Sequence, residues 1–227
     1  MLDPAVPERT ERYGEHPSQV IDYYGTRGAG PRIAVLHGGF WREAYDRTHL
    51  TPFAAALAGR GMRVALIEYR RVGGDGGWPT TAEDVDTALG HLGPPPDVLL
   101  GHSAGGQLAL WAANKRERAA ERVVCVAPVA DLGRAHQLGL SDGAVADFLG
   151  GDAQVPSRLY EADPMRLFPR VPVEILHGTG DTDVPLELSR RYANDWGTRL
   201  HLLGCGHFAP LTPNTAAFDV LVSTLRR

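Results

Sequence analysis

The 227-residue chain carries 23 Lys+Arg against 27 Asp+Glu, a formal charge of -4, with 43% hydrophobic and 22% charged residues. That balance belongs to an ordinary globular chain able to bury its own core, and it excludes disordered, collagen-like and disulfide-built proteins. No long basic run is present, which argues against nucleic acid or an anionic membrane surface as the main partner.

In chain order, Met1 to Gly14 is polar and Pro-containing, without the apolar centre of a signal peptide. No apolar stretch approaches the roughly 20 residues that span a membrane. The expectation is a soluble cytoplasmic protein with one domain over 1–227. Gln19 to Tyr24 reads as an antiparallel edge strand. Short β-branched runs follow at Ile33–Leu36, Val64–Ile67, Val98–Leu100, Val123–Val126, Val173–Leu176 and Leu200–Leu203. Such runs suit strands buried on both faces of a parallel sheet. Helical patterns lie between them, at about Leu50–Gly59, Thr81–Leu92, Ala104–Arg118, Leu186–Trp196 and Thr215–Leu225. Thr81, with Asp84 three residues on, reads as an N-terminal cap. The alternation predicts an α/β fold with a doubly wound, mostly parallel sheet. The 131–169 stretch breaks the rhythm, with one helix-like piece near Ala144–Leu149. It is either a surface excursion or a short cap over a pocket. Cys125, inside an apolar run, reads as a small buried hydrophobe, and with Cys205 makes neither a disulfide framework nor a zinc site.

Gly101-His102-Ser103-Ala104-Gly105 fits G-x-S-x-G directly after a strand and directly before a helix, the context a nucleophile elbow requires. Ser103 is the candidate nucleophile; the alternative is a turn serine. A serine hydroxyl needs a base. Of the nine histidines, His201 and His207 lie late enough for the chain order Ser, acid, His. His201 sits inside a strand, so His207, in the glycine-flanked loop after it, is the candidate base. Asp181 and Asp183 both follow the Val173 strand. Asp181 is assigned to orient the imidazole and Asp183 to capping. Acyl transfer also needs oxyanion donors. His37-Gly38-Gly39-Phe40-Trp41 follows a strand, and the N–H groups of Gly39, Phe40 and Ala104 are the candidates. His37 and His177 read as hydrogen-bonding struts. Trp41 is a candidate for stacking on an aromatic substrate, against packing beneath its loop, with Tyr69 and Trp78 as weaker candidates at the same edge.

With these motifs, the chain resembles the α/β-hydrolases, in the branch with an H-G-G-x-W oxyanion motif that holds esterase/lipase-like and kynurenine-formamidase-like proteins. The resemblance runs from Tyr13-Gly14 and Asp22-Tyr23-Tyr24 through Glu68-Tyr69-Arg70 and Asp131-Leu132 to Gly206-His207-Phe208. It implies Ser103, Asp181 and His207 as a triad, and a pocket formed partly by Asp131–Pro169. The chain departs from many esterases by Phe40 in place of a third glycine, and it lacks a large lid or a propeller domain. A small acyl group is therefore favoured over a long lipid or a peptide.

The expected activity is serine hydrolysis of a small ester or N-formyl amide. The alternatives are a thioesterase, acyltransferase or cyclase using the same triad, and a non-catalytic binding member of the fold. No cofactor is expected: Gly73 to Gly77 is glycine-rich but matches neither dinucleotide nor P-loop spacing. No metal is expected, because His201 and His207 lack a third obvious ligand. The implied partner is a small-molecule substrate, and exposed edge strands leave room for a homodimer.

Overall fold

The computed structural model describes residues 3–115 and 119–227. Its eight strands are β1 (Arg9–Arg12), β2 (Val20–Tyr24), β3 (Arg32–Leu36), β4 (Arg63–Ile67), β5 (Val98–His102), β6 (Arg122–Val126), β7 (Val173–Gly178) and β8 (Arg199–Leu203). They form one sheet in the order β1-β2-β4-β3-β5-β6-β7-β8. β1 and β2 run antiparallel, and the six strands from β4 to β8 are parallel.

The apolar runs are continuous because both faces are covered, and successive side chains alternate between two cores. In β3, Ala34 and Leu36 join one core while Ile33 and Val35 join the other. β6 divides likewise, with Val123 and Cys125 on the first side and Val124 and Val126 on the second. Cys125 is buried, and burial pushes its thiol up, so it packs as a small hydrophobe. Helices α2 (Thr80–His91), α3 (Ala104–Lys115) and α7 (Leu186–Trp196) cover the first face, and α1 (Thr51–Gly59) and α8 (Ala216–Leu225) the second. In α8, Phe218, Leu221, Val222 and Leu225 repeat at helical spacing and are buried, and the Thr215 hydroxyl caps the first turn by accepting from the Phe218 N–H at 3.1 Å.

Three expectations change. Val20–Tyr24 is antiparallel but not the edge, since β1 pairs outside it through exposed polar residues that carry no strand signal. Thr81 is no cap: α2 starts at Thr80 after Pro79, and the Thr81 hydroxyl instead donates to the Arg70 carbonyl at 2.7 Å. Asp84 takes the Arg70 guanidinium at 2.6 Å. Between β6 and β7 the chain forms α4 (Leu132–Gln137), α5 (Leu140–Leu149) and α6 (Val155–Ala162). Ser141 to Gly143 have positive φ, so the regular part of α5 is the predicted Ala144–Leu149. The expected end of α3 at Arg118 lies outside the described residues. No described helix is long and apolar enough to cross a membrane.

Candidate active site

β5 ends at His102 and α3 begins at Ala104, so Ser103 alone makes the turn, at φ 55°. This conformation is costly for a residue with a Cβ and persists only where the surroundings over-determine it. Here the Ser103 N–H donates to the Val126 carbonyl at 2.9 Å, and the Ser103 carbonyl accepts from the N–H groups of Gly106 and Val129 at 2.9 and 3.1 Å. α3 approaches β3 so closely that a Cβ on Gly105 would overlap the carbonyl oxygens of His37 and Leu36. Gly105→Ala is expected to cost about 3 kcal/mol, through overpacking against backbone that cannot yield. Urea unfolding of the variant checks it.

The loop after β3 is strained as well. Phe40 and Trp41 have φ 48° and 58°, and Gly39 lies at φ 108°. The loop is tied down by the Val72 N–H, which donates to the Trp41 carbonyl at 2.8 Å, and by the Glu43 N–H, which donates to the Val72 carbonyl at 2.9 Å. A Cβ on Gly38 would lie 2.8 Å from the Ser103 Cβ, so this loop lies directly against the serine. Ala104 is the first residue of α3, and its N–H has no intrahelical acceptor.

Beneath the loop is a buried polar network. His37 bridges the Gly38 carbonyl and Glu68 Oε1, each at 2.8 Å, and stacks on Tyr69 at 4.4 Å. Tyr69 donates to the His37 carbonyl at 2.6 Å, Arg71 pairs with Glu68, and the Arg47 N–H donates to Glu68 Oε2 at 2.8 Å. Burial alone would raise the Glu68 pKa, but His37, Arg71 and the Arg47 N–H hold it at about 2. A depressed carboxyl stabilises the fold above its usual value of 4.5 and loses that contribution as the pH falls toward about 2. Glu68→Gln is expected to cost about 3 kcal/mol near neutral pH, because it removes the buried carboxylate that His37, Arg71 and the Arg47 N–H share and leaves buried Arg71 paired only with the exposed Glu43 carboxylate at 3.1 Å. The gap from the native protein should narrow on acidification, which denaturant unfolding at pH 7 and pH 3 measures.

The loops after β7 and β8 bring the two other candidates together. His207 Nδ1 lies 2.6 Å from Asp181 Oδ2. Asp181 Oδ1 accepts from the N–H groups of Asp183 and Val184 at 2.9 and 2.8 Å, and His177 Nε2 lies 3.3 Å from Oδ2. Burial opposes the charge on Asp181, but the contacts with His177, His207 and Val184 outweigh it and hold the carboxyl well below the usual range. Asp183 has an exposed carboxylate in the same turn. His177 is a strut, between Ser189 Oγ at 2.7 Å and the Val184 carbonyl at 3.0 Å. His201 pairs with Glu174 at 2.9 Å, away from this cluster. The ligand atoms of Asp181, Asp183 and His207 lie within 4.8 Å of one another, a grouping the sequence spacing did not suggest. Both Asp181 oxygens are already engaged as above.

Trp41 does not serve as the expected stacking surface. It is 0% exposed, stacks on Phe148 of α5 at 4.4 Å, and donates from Nε1 to Gln107 Oε1 at 3.1 Å. Tyr69 is buried too, and Trp78 packs edge-on against Trp111 and Phe148. The exposed rings are others. Phe208, 52% exposed, lies 4.9 Å from His207, and Tyr45, 55% exposed, sits against Gly39. Phe208 was legible only as the neighbour of His207, and Tyr45 carried no signal. His102 is fully buried 4.5 Å from the His207 ring, with neither ring nitrogen bonded among the described residues. Burial, then the proximity of His207, pushes its pKa well down, so a neutral ring backs the candidate base.

A family model described as the alpha/beta hydrolase family matches residues 33–163, more than half of the chain. The chain belongs to the α/β-hydrolase family. Its eight-stranded, mostly parallel sheet is the α/β-hydrolase fold. It is 34% identical over 102 residues to the sn-1-specific diacylglycerol lipase ABHD11 of Mus musculus, covering 42% of this chain and 32% of that protein. The chain spans less than two thirds of the length of the curated relatives it matches, from 32% to 57% of the four compared. Among solved structures, esterase B from Lactobacillus rhamnosis superposes with a TM-score of 0.77 at 21% identity, over 99% of this chain and 86% of that one. A truncated carbohydrate esterase from gut microbiota superposes with a TM-score of 0.77 at 19% identity, over 99% and 98%. At these identities the likeness to the solved structures is one of fold.

Proposed function

We propose that this α/β-hydrolase is a serine esterase of the H-G-G-x-W branch, which cleaves a small carboxylic ester or N-formyl amide through an acyl-enzyme. The observation that carries the reading is the 2.6 Å contact of His207 Nδ1 with a carboxylate held ionised, at the sheet edge that also presents a strained serine. Asp181 holds the imidazole so that Nε2 accepts the Ser103 proton. Ser103 Oγ attacks the carbonyl carbon. The oxyanion takes hydrogen bonds from the N–H groups of Gly39, Phe40 and Ala104. His207 then gives its proton to the leaving alcohol or amine, and water repeats the sequence to release the acid.

In this reading Trp41 supports the oxyanion loop from below. Phe208 and Tyr45 take its place as candidate substrate contacts, because they are the exposed rings beside the base and the loop. The 131–169 stretch contributes the pocket wall. Its Phe148 stacks on Trp41, and the Gln107 amide, which accepts from Trp41 Nε1, donates to the Ala162 carbonyl at 2.9 Å. The esterases among the proteins that share this fold favour the ester.

The test is kcat/KM for short-chain p-nitrophenyl esters beside N-formyl-kynurenine, with Ser103→Ala as the blank. Ester turnover with little formamide turnover selects the esterase reading. A preference for the formamide selects the other substrate class. Equal turnover by Ser103→Ala would overturn the mechanism.

A further inference from the structure

The end of the sheet opposite Ser103 has an arrangement that the proposed chemistry does not use. Arg32 and Arg63 are paired residues on the adjacent parallel strands β3 and β4. Their side chains therefore leave the same face side by side, and like charges so placed repel. Two residues on, Ala34 and Ala65 are paired in the same way. Ala65 pairs with Tyr23 of β2, and Tyr23 with Arg9 of β1. The two-residue alternation puts all six on one face. One row reads Arg9, Tyr23, Ala65, Ala34, and the next holds the two arginines.

The two alanines leave a hollow where larger side chains would fill the face. It is a cavity of about 180 Å³ lined by these six residues and the turn after α2, and its lining contains no Asp or Glu. The arginines are held in place. Arg9 lies 4.2 Å over the Tyr23 ring and pairs with Glu11 at 2.7 Å. Arg32 donates to the Pro94 and Pro95 carbonyls, with Asp97 at 3.9 Å. Arg63 donates to the Gly30 carbonyl at 3.2 Å, and no carboxylate pairs with it among the described residues.

We propose that this hollow is a second binding site, for a small organic carboxylate with a flat apolar body. The charge at its rim suits an anion, and a guanidinium takes a carboxylate through two parallel hydrogen bonds. The alanine floor and the Tyr23 ring suit the apolar part. A cavity of about 150 Å³ is enough to hold a benzene ring. The site lies at the amino ends of β3 and β4, whereas Ser103 follows the carboxyl end of β5. It therefore stands whether or not the serine mechanism does.

The experiment is calorimetric titration and thermal unfolding of the full chain with benzoate, with benzamide and inorganic phosphate as controls. The variants are Arg63→Gln and Ala65→Leu. Benzoate should bind saturably and raise Tm, whereas benzamide lacks the charge and phosphate the apolar body. Arg63→Gln should weaken benzoate binding at least about tenfold, the loss expected for one charged hydrogen-bonding partner. Without ligand, its Tm should rise as the repulsion with Arg32 is relieved; a merely structural Arg63 would give a lower one. Ala65→Leu should abolish binding by filling the floor. If Ala65→Leu does not fold, the half-buried Arg63 carries the test. Absence of saturable benzoate binding overturns the proposal. So does benzoate binding that survives Arg63→Gln, which places the ligand elsewhere, and so does equal binding of phosphate, which removes the role of the apolar floor.

Discussion

Replacing Ser103 with alanine is expected to lower kcat on a short-chain p-nitrophenyl ester by about 10⁶-fold, the loss that removal of an activated serine nucleophile brings. A residual rate of roughly 10³ to 10⁴ over water should remain, since the proposed oxyanion donors, the N–H groups of Gly39, Phe40 and Ala104, are untouched by the change. Thermal unfolding separates chemistry from structure. Ser103→Ala keeps the positive φ and the backbone bonds to Val126, Gly106 and Val129, so its Tm should stay close to the native value. Ser103→Gly should be more stable by about 1 kcal/mol, because glycine adopts that φ without strain. An inactive protein that gains stability on losing its side chain is the signature of strain held for function. Full activity in either variant would remove Ser103 from the mechanism.

Asp181→Asn is expected to lower kcat by about 10⁴-fold, because the amide presents the wrong partner to His207 Nδ1 and no longer stabilises the imidazolium. The same change should alter the response of stability to acid. The Asp181 pKa is held below its usual value by His177, His207 and the Val184 N–H acting against burial. A carboxyl depressed in the folded state stabilises the protein above its unfolded pKa, and that contribution fades as the pH falls toward the folded value. The native protein should thus lose stability on acidification below about pH 4, the usual carboxylate range. Asp181→Asn should lose less over the same interval. Denaturant midpoints from pH 7 to pH 3 measure it, and parallel curves for the two proteins would show that Asp181 is not held ionised.

Much of the sheet is legible in advance because its strands are buried on both sides, which forces unbroken β-branched runs. The Ser103 elbow is legible because G-x-S-x-G places small residues where α3 approaches β3, at Gly105 and the His37 carbonyl. β1 is not legible, since an exposed edge strand of Arg9, Thr10, Glu11 and Arg12 makes no apolar pattern. Nor are α4 and α6, which are short. α6 takes its place from Val155, Leu159 and Ala162 packed beneath other elements. Trp41 shows the limit most clearly. Its position after Gly38 and Gly39 suggests a ring at the site, but whether it faces substrate or core depends on Phe148, more than a hundred residues away.

The sequence by itself determined the class of fold, the order of its buried strands and of the helices between them apart from α4 and α6, and the three residues worth testing for catalysis. These are local signals: alternation, helical period, and short motifs at strand ends. Tertiary structure decided the partners of those residues. It set Asp181 rather than Asp183 against His207, because the first carboxylate is turned inward by the Asp183 and Val184 N–H groups while the second stays in solvent. It also set Arg32 beside Arg63, because strands distant in sequence come into register only when the sheet closes. Hydrogen-bond register and side-chain burial are properties of the assembled layers, and no local window of residues contains them.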